Sequence, residues 1–101
     1  MSYRIPTDER WYMPRVLLTS HLSAQAGQNA FDVAGTTVRE LLEGLFVLRP
    51  LLRGYLLDDQ GALRHHVAAF VNGAVVRDKH QLDDPVPPDG ELFLLQALSG
   101  G

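Results

Sequence analysis

One segment of this chain carries both a helix start and a helix stop, and most of the remainder reads in period two. Gly35-Thr36-Thr37-Val38-Arg39-Glu40 opens the segment. Thr37 followed three residues later by Glu40 has the spacing of a capping box, in which each side chain accepts from an orphan backbone N–H at the helix end. Val38, Leu41, Leu42, Leu45 and Leu48 recur at helical spacing, while Arg39, Glu40 and Glu43 fall off the stripe. Pro50 stops the helix near Leu48, because the residue before a proline avoids the helical region. Leu51 to Leu57 reads as a short irregular or helical turn that continues the core.

Strands flank this helix on both sides. Arg15 to Ser20 reads as a first strand and Ala30 to Ala34 as a second, with Phe31 and Val33 on one face. Gln25 to Asn29 supplies a turn between them, so the pair is expected to form a hairpin. Arg64 to Val71 reads as a third strand and Ala74 to Arg77 as a fourth. Asn72-Gly73 joins them, and both central positions of a type I′ turn need the positive φ that these residues tolerate. Asp78 to Asp89 is a long, polar, proline-rich connection, and Glu91 to Gln96 is the last strand. A helix laid across one face of a mixed sheet is the α+β solution for burying one face of each element. With the last strand placed centrally beside the first, this is the β-grasp arrangement: a mixed sheet of four to five strands with one main helix across one face. Residues 1–13 read as an N-terminal extension, 14–98 as the domain and 99–101 as a thin tail.

Composition excludes several functions. A formal charge of −3 argues against a nucleic-acid binder, which would carry a basic face. Apolar runs such as Val67 to Val71 are too short to span a bilayer, and no export leader opens the chain, so the cytoplasm is the expected location. Cysteine is absent, which removes disulfides, thiolate nucleophiles and thiolate metal ligands together. His65-His66 is read as a surface pair, because neighbours on a strand point to opposite faces and cannot share an ion. Asp58-Asp59 and Asp83-Asp84 read as solvated loop charges. There is no P-loop, dinucleotide fingerprint or serine-nucleophile motif.

Three stretches together resemble the ThiS/MoaD family of ubiquitin-like sulfur carriers. Gly35-Thr36-Thr37-Val38-Arg39-Glu40-Leu41-Leu42 is similar to the family's helix start, and Phe70-Val71-Asn72-Gly73 to its central hairpin. Asp89-Gly90-Glu91-Leu92, followed by Leu98-Ser99-Gly100-Gly101, is similar to its ending. Gly61 to Val67 resembles the longer carriers of amino-acid biosynthesis more than the short molybdopterin type. The extension 1–13 and the prolines of Asp83 to Asp89 depart from the family pattern.

The resemblance implies a chemistry located at the last residue. The Gly101 carboxylate would be adenylated by an E1-like partner enzyme and converted to a thiocarboxylate, which a sulfur-accepting biosynthetic enzyme then uses. A free α-carboxyl has a pKa of about 3.5, so Gly101 is an anion at neutral pH. Gly100 and Gly101 lack Cβ atoms and can enter a narrow channel. Ser99 to Gly101 reach only about 10 Å when extended, at about 3.3–3.6 Å per residue, so the partner must bind the body close by. On this reading the chain is not an enzyme and binds no cofactor or metal; ATP and the sulfur donor belong to the partner.

Alternation within the β-grasp gives a docking face. Leu92 and Leu94 point to the helix, as do Val67, Ala69 and Val71. Phe93, Leu95 and Phe70 are then left together on the open face, and exposed apolar patches mark partner sites. Leu98 and Ser99 are expected to fix the tail's exit or enter the partner. An alternative occupant of the patch is the extension itself, through Trp11 or Tyr12. The alternative functions are a ubiquitin-like modifier conjugated through Gly101 and a non-catalytic interaction module. The single lysine, Lys79, makes polymeric self-conjugation unfavourable in the first of these.

Overall fold

The apolar residues of the last strand, Leu92 and Leu94, can be shielded on one face only if helices cover them, and the rest of the chain supplies that cover. The computed structural model describes residues 13–97. Its elements run β1 (Arg15–Leu18), α1 (Ser20–Ala26), β2 (Ala30–Asp32), α2 (Val38–Leu48), α3 (Leu52–Leu56), β3 (Val67–Val71), β4 (Ala74–Val75) and β5 (Glu91–Gln96). The strands form one sheet in the order β2-β1-β5-β3-β4. β5 runs parallel to β1 and antiparallel to β3, and the two outer pairings are antiparallel. This is the β-grasp read from the sequence, with the last strand at the centre. The extension up to Tyr12, and Leu98, Ser99, Gly100 and Gly101, lie outside the described residues.

A single core joins sheet and helices. Val38, Leu41, Leu42 and Leu45 of α2 are fully buried in one cluster with Val16, Val67, Leu92 and Leu94. Gly44 lets α2 approach closely, since a Cβ there would stand 2.5 Å from Cγ1 of Val33. Asn72 (φ 49°) and Gly73 (φ 87°) both adopt the positive φ that the β3–β4 turn requires.

The start of α2 accounts for its orphan donors one by one. Thr37 caps it, accepting from Glu40 N at 3.2 Å. The return half of the capping box goes one residue further back than expected: the Glu40 carboxylate accepts from both N–H and Oγ1 of Thr36, at 2.7 and 3.0 Å. The proline-rich connection supplies the other partners. Val38 N donates to Asp84 O and Arg39 N to Leu82 O. Leu82 is fully buried and holds φ 55° to do so. A segment read only as a polar, proline-rich connection therefore caps the main helix.

Three kinds of sequence reading are corrected: one missed helix, the strand bounds and one core position. The link between the first two strands contains α1, whose Leu22 and Ala26, one turn apart, are buried, and which ends on Gly27 in the left-handed region (φ 84°). The strands are shorter than read: the first ends at Leu18, with Ser20 already in α1, the second ends at Asp32, the third begins at Val67, since Arg64 closes a turn by accepting from Val67 N, and the fourth ends at Val75. Leu48 is 47% exposed at the last position of α2, and Phe46 takes its place in the core. The two lie about 80° to either side of the stripe's centre at 100° per residue. The Phe46 side is the covered one, with the Arg53 guanidinium 4.8 Å from the ring centroid.

Candidate functional site

The open face of the sheet carries one continuous apolar row. Cα pairing aligns Ala30 with Leu17, Leu17 with Phe93, Phe93 with Phe70 and Phe70 with Val75. The row thus crosses all five strands, a span of about 19 Å at about 4.8 Å per strand. A second row beside it pairs Leu95 with Ala68. The sequence brought Phe70, Phe93 and Leu95 together, and the structure places them so. Phe93 is 36% and Leu95 37% exposed, although their neighbours Leu92 and Leu94 are fully buried. The Phe70 and Phe93 rings stand 6.3 Å apart at 45°, the separation of a favourable tilted pair.

These side chains line a shallow, open groove of about 420 Å³ together with Leu17, Gly73 and Glu91. Leu17 and Val75 were missed as members of this face. Their signal was present in the alternation of β1 and in the register of the Asn72-Gly73 turn, which sets Val75 opposite Phe70. A charged row follows the apolar one toward the start of β1, where Arg15 pairs with both Asp32 and Glu91 in register. Arg15 Nε lies 3.5 Å from Asp32 Oδ1. The face is therefore apolar along its middle and mixed in charge at one border, the composition of a protein-binding patch with a polar rim.

The end of β5 is anchored from the core side. Gln96 follows Leu92 and Leu94 in the alternation, so its side chain enters the interior, where it is nine-tenths buried. Its Nε2 lies 3.5 Å from Tyr55 O and 3.2 Å from Nε2 of His66. Ala97 N donates to His66 O at 2.9 Å, which extends the ladder one residue past the strand. The chain thus leaves the sheet at a fixed point between α3 and the start of β3. Gln96 was missed as an anchor; its signal was a polar residue on the inner face of the strand.

His65 and His66 lie in a turn before β3, not on the strand, with ring centroids 5.3 Å apart in edge contact. The argument from opposite strand faces therefore does not apply to them. Among the described residues no group of three or more His, Asp or Glu side chains is arranged to hold a metal ion. No helix among them is long and apolar enough to cross a membrane. Asp58 and Asp78 are not free loop charges. Each carboxylate caps the backbone of its own turn, Asp58 through Ala62 N and Gln60 N and Asp78 through Gln81 N and His80 N.

Comparison with known proteins points one way. The model of the ThiS family matches residues 16–101. No curated protein sequence matches the chain. Among solved structures, SAMP1 from Haloferax volcanii is 28% identical with a TM-score of 0.74, over 88% of this chain and 99% of that one. A chain of the BexX/CysO complex from Amycolatopsis orientalis is 23% identical with a TM-score of 0.76, covering 86% of this chain and 98% of its own. CysO from Mycobacterium tuberculosis is 22% identical with a TM-score of 0.73, over 83% and 98%. The last two likenesses establish the shared fold.

Proposed function

Because this chain belongs to the ThiS family, among ubiquitin-like sulfur carriers and modifiers, we propose that it carries sulfur as a thiocarboxylate on Gly101. The observation that carries this reading is the position of β5. It is the central strand, it presents Phe93 and Leu95 on the open face, and the residues that follow it are those of the tail. The family match also extends through residue 101.

The steps follow from the chemistry of a carboxylate. An oxygen of Gly101 attacks the α-phosphorus of ATP, pyrophosphate leaves, and an acyl-adenylate forms. A sulfide-level donor attacks the carbonyl carbon, the bond to AMP breaks, and a thiocarboxylate remains. An E1-like enzyme supplies ATP and the catalytic groups, and a sulfur-accepting biosynthetic enzyme takes the product. This chain supplies position: Gly100 and Gly101 thread the active site, Ser99 and Leu98 set the exit, and Phe70, Phe93 and Leu95 hold the enzyme within the tail's reach of about 10 Å. The chain binds no cofactor itself, and its setting is the cytoplasm.

Intact-mass spectrometry tests this. Incubation with an E1-like enzyme, ATP and sulfide adds about 16 Da, the exchange of one oxygen for sulfur on the acyl intermediate. Removal of Gly101 abolishes the gain; an unchanged gain in that variant would refute the assignment. The likeness to a small archaeal modifier protein, 26% identical, supports a second reading in which the same adenylate is passed to lysines of other proteins. Isopeptide-linked adducts in place of the mass gain distinguish that outcome.

A further inference from the structure

The last strand ends on a polar side chain that the core does not need, at the place where the chain leaves the sheet. We infer that Gln96 and His66 are a positioning pair: together they fix the point and direction from which the last residues depart, so that Gly101 reaches the activating enzyme from a set start. The inference rests on the carrier reading and adds to it two residues that lie off the docking face.

The end of β5 needs such a hold. β1 pairs with β5 only as far as Leu18 opposite Leu94, where Thr19 N donates to Leu94 O at 3.2 Å. Ser20 already opens α1. Past Leu94, β5 therefore keeps a neighbour on one side alone, and the pairing with β3 ends at Val67 opposite Gln96. The next backbone bond, from Ala97 N to His66 O at 2.9 Å, is made to the turn that precedes β3. That turn is pinned in its own right. Val67 N donates to Arg64 O and Leu63 N to Lys79 O, and the Lys79 ammonium lies 3.4 and 3.3 Å from the carbonyl oxygens of Arg64 and His65. A strand end paired on one side frays unless a side chain ties it down.

Gln96 is that tie. It continues the inward row of Leu92 and Leu94, where an apolar residue belongs, yet it is an amide nine-tenths buried. Its Nε2 faces two acceptors, Tyr55 O of α3 at 3.5 Å and Nε2 of His66 at 3.2 Å, so one amide donates toward both and the imidazole carries its own proton on Nδ1. Turning the amide over would set its oxygen against Tyr55 O, which fixes the orientation. In that orientation Oε1 is buried with no hydrogen-bond partner among the described residues. A buried carbonyl oxygen left unpaired costs stability. An apolar side chain of the same length would avoid that cost and lose only the two contacts at the exit. What Gln96 supplies is therefore location, and location matters to the reaction: a misplacement of about 1 Å can cost about a hundredfold in rate.

Gln96→Met keeps the length of the side chain and removes the amide. Hydrogen exchange at the Ala97 amide reads the anchor without any enzyme. That amide is expected to be protected in the unaltered chain and to exchange about tenfold faster in Gln96→Met, with the amides of Leu92 and Leu94 unchanged. Adenylation kinetics read the consequence. The kcat should fall about tenfold while KM, which reflects docking on the open face, stays within about twofold, and calorimetry should show a level Tm. His66→Phe removes the acceptor in place of the donor and should lower kcat in the same way. If Gln96→Met does not fold, His66→Phe and the protection of Ala97 in the unaltered chain decide. An unprotected Ala97 amide in the unaltered chain overturns the inference, as does protection or kcat that survives the loss of the amide. A rise in KM in place of the fall in kcat also overturns it, since the pair would then act through docking. The two readings separate: no mass gain at Gly101 in the unaltered chain removes the carrier reading and leaves the anchor to be decided by exchange, whereas a full mass gain with equal kcat in both chains removes the pair alone.

Discussion

The two faces of this sheet are built from the same strands and nearly the same residue types, yet they have opposite fates. In β5, Leu92 and Leu94 are fully buried beneath α2, while Phe93 and Leu95 between them keep over a third of their surface. In β3, Val67 and Ala69 join the core and Phe70 does not. The inner face is apolar because folding requires it: each fully buried leucine or valine contributes about 1.5–3 kcal/mol. The outer face is apolar without that return. In a half-solvated antiparallel or mixed sheet its positions are normally polar. Identical chemistry on both sides of one strand therefore separates what holds the fold from what it presents.

Substitutions on adjacent residues can break this comparison. Leu94→Ala is expected to cost about 2–5 kcal/mol through lost burial and the cavity left behind. At about 4–8 °C per kcal/mol for a domain of this size, that is a large fall in Tm by differential scanning calorimetry. Phe93→Ser, one residue away, should change stability by about 0.5–1 kcal/mol at most, as exposed positions do. Its effect should lie in docking: about 30-fold lower kcat/KM for adenylation, the size of a loss of about 2 kcal/mol at a central aromatic contact. If Phe93→Ser unfolds the protein, or leaves adenylation unchanged, the division between the two faces is wrong.

How much of this was legible follows from where each signal resides. The faces of β3 and β5 were readable because a strand's alternation is local, and the Asn72-Gly73 turn fixed the register between neighbouring strands. The central place of β5 came from element order. α1 was missed because Leu22 and Ala26 are its only buried residues, too few to show a helical period against the polar residues around them. Leu48 and Phe46 were interchanged because they flank the α2 stripe symmetrically, and only α3, with Arg53 over the Phe46 ring, determines which flank is covered. The role of Asp78 to Asp89 was illegible for a related reason. Its backbone carbonyls cap α2, and a carbonyl carries no sequence signature.

The cap of α2 gives a smaller test on the covered side. Thr37→Ala removes the acceptor for Glu40 N and should cost about 1 kcal/mol. The loss weakens the lid of the inner face alone, so urea unfolding shows it while adenylation kinetics at saturating enzyme do not. A change in kinetics of the size expected for Phe93→Ser would mean that the two faces are mechanically coupled.

The smallest expected effect is on acid stability, and its sign follows from three carboxylates. Glu40 is held below its ordinary value of 4.5 by the backbone N–H of Thr36 first and its hydroxyl second. Asp58 and Asp78 are held below 3.8, chiefly by the backbone N–H groups of Ala62 and Gln81 respectively. A carboxylate depressed on folding contributes stability that is complete above its unfolded pKa and is lost as pH falls through its folded one. Tm should therefore be level from pH 7 to about pH 5, by this linkage, and fall below the ordinary carboxylate values. Glu40→Gln keeps an oxygen for the Thr36 donors but no titrating group, so its Tm should fall less steeply in acid than that of the unaltered chain. Glu40 and Thr36 stand at the start of α2 and none of the three carboxylates lines the open-face groove. Acid should thus loosen the cover of the inner face and leave the docking groove as it is, and equal acid slopes for Glu40→Gln and the unaltered chain would remove Glu40 from that account.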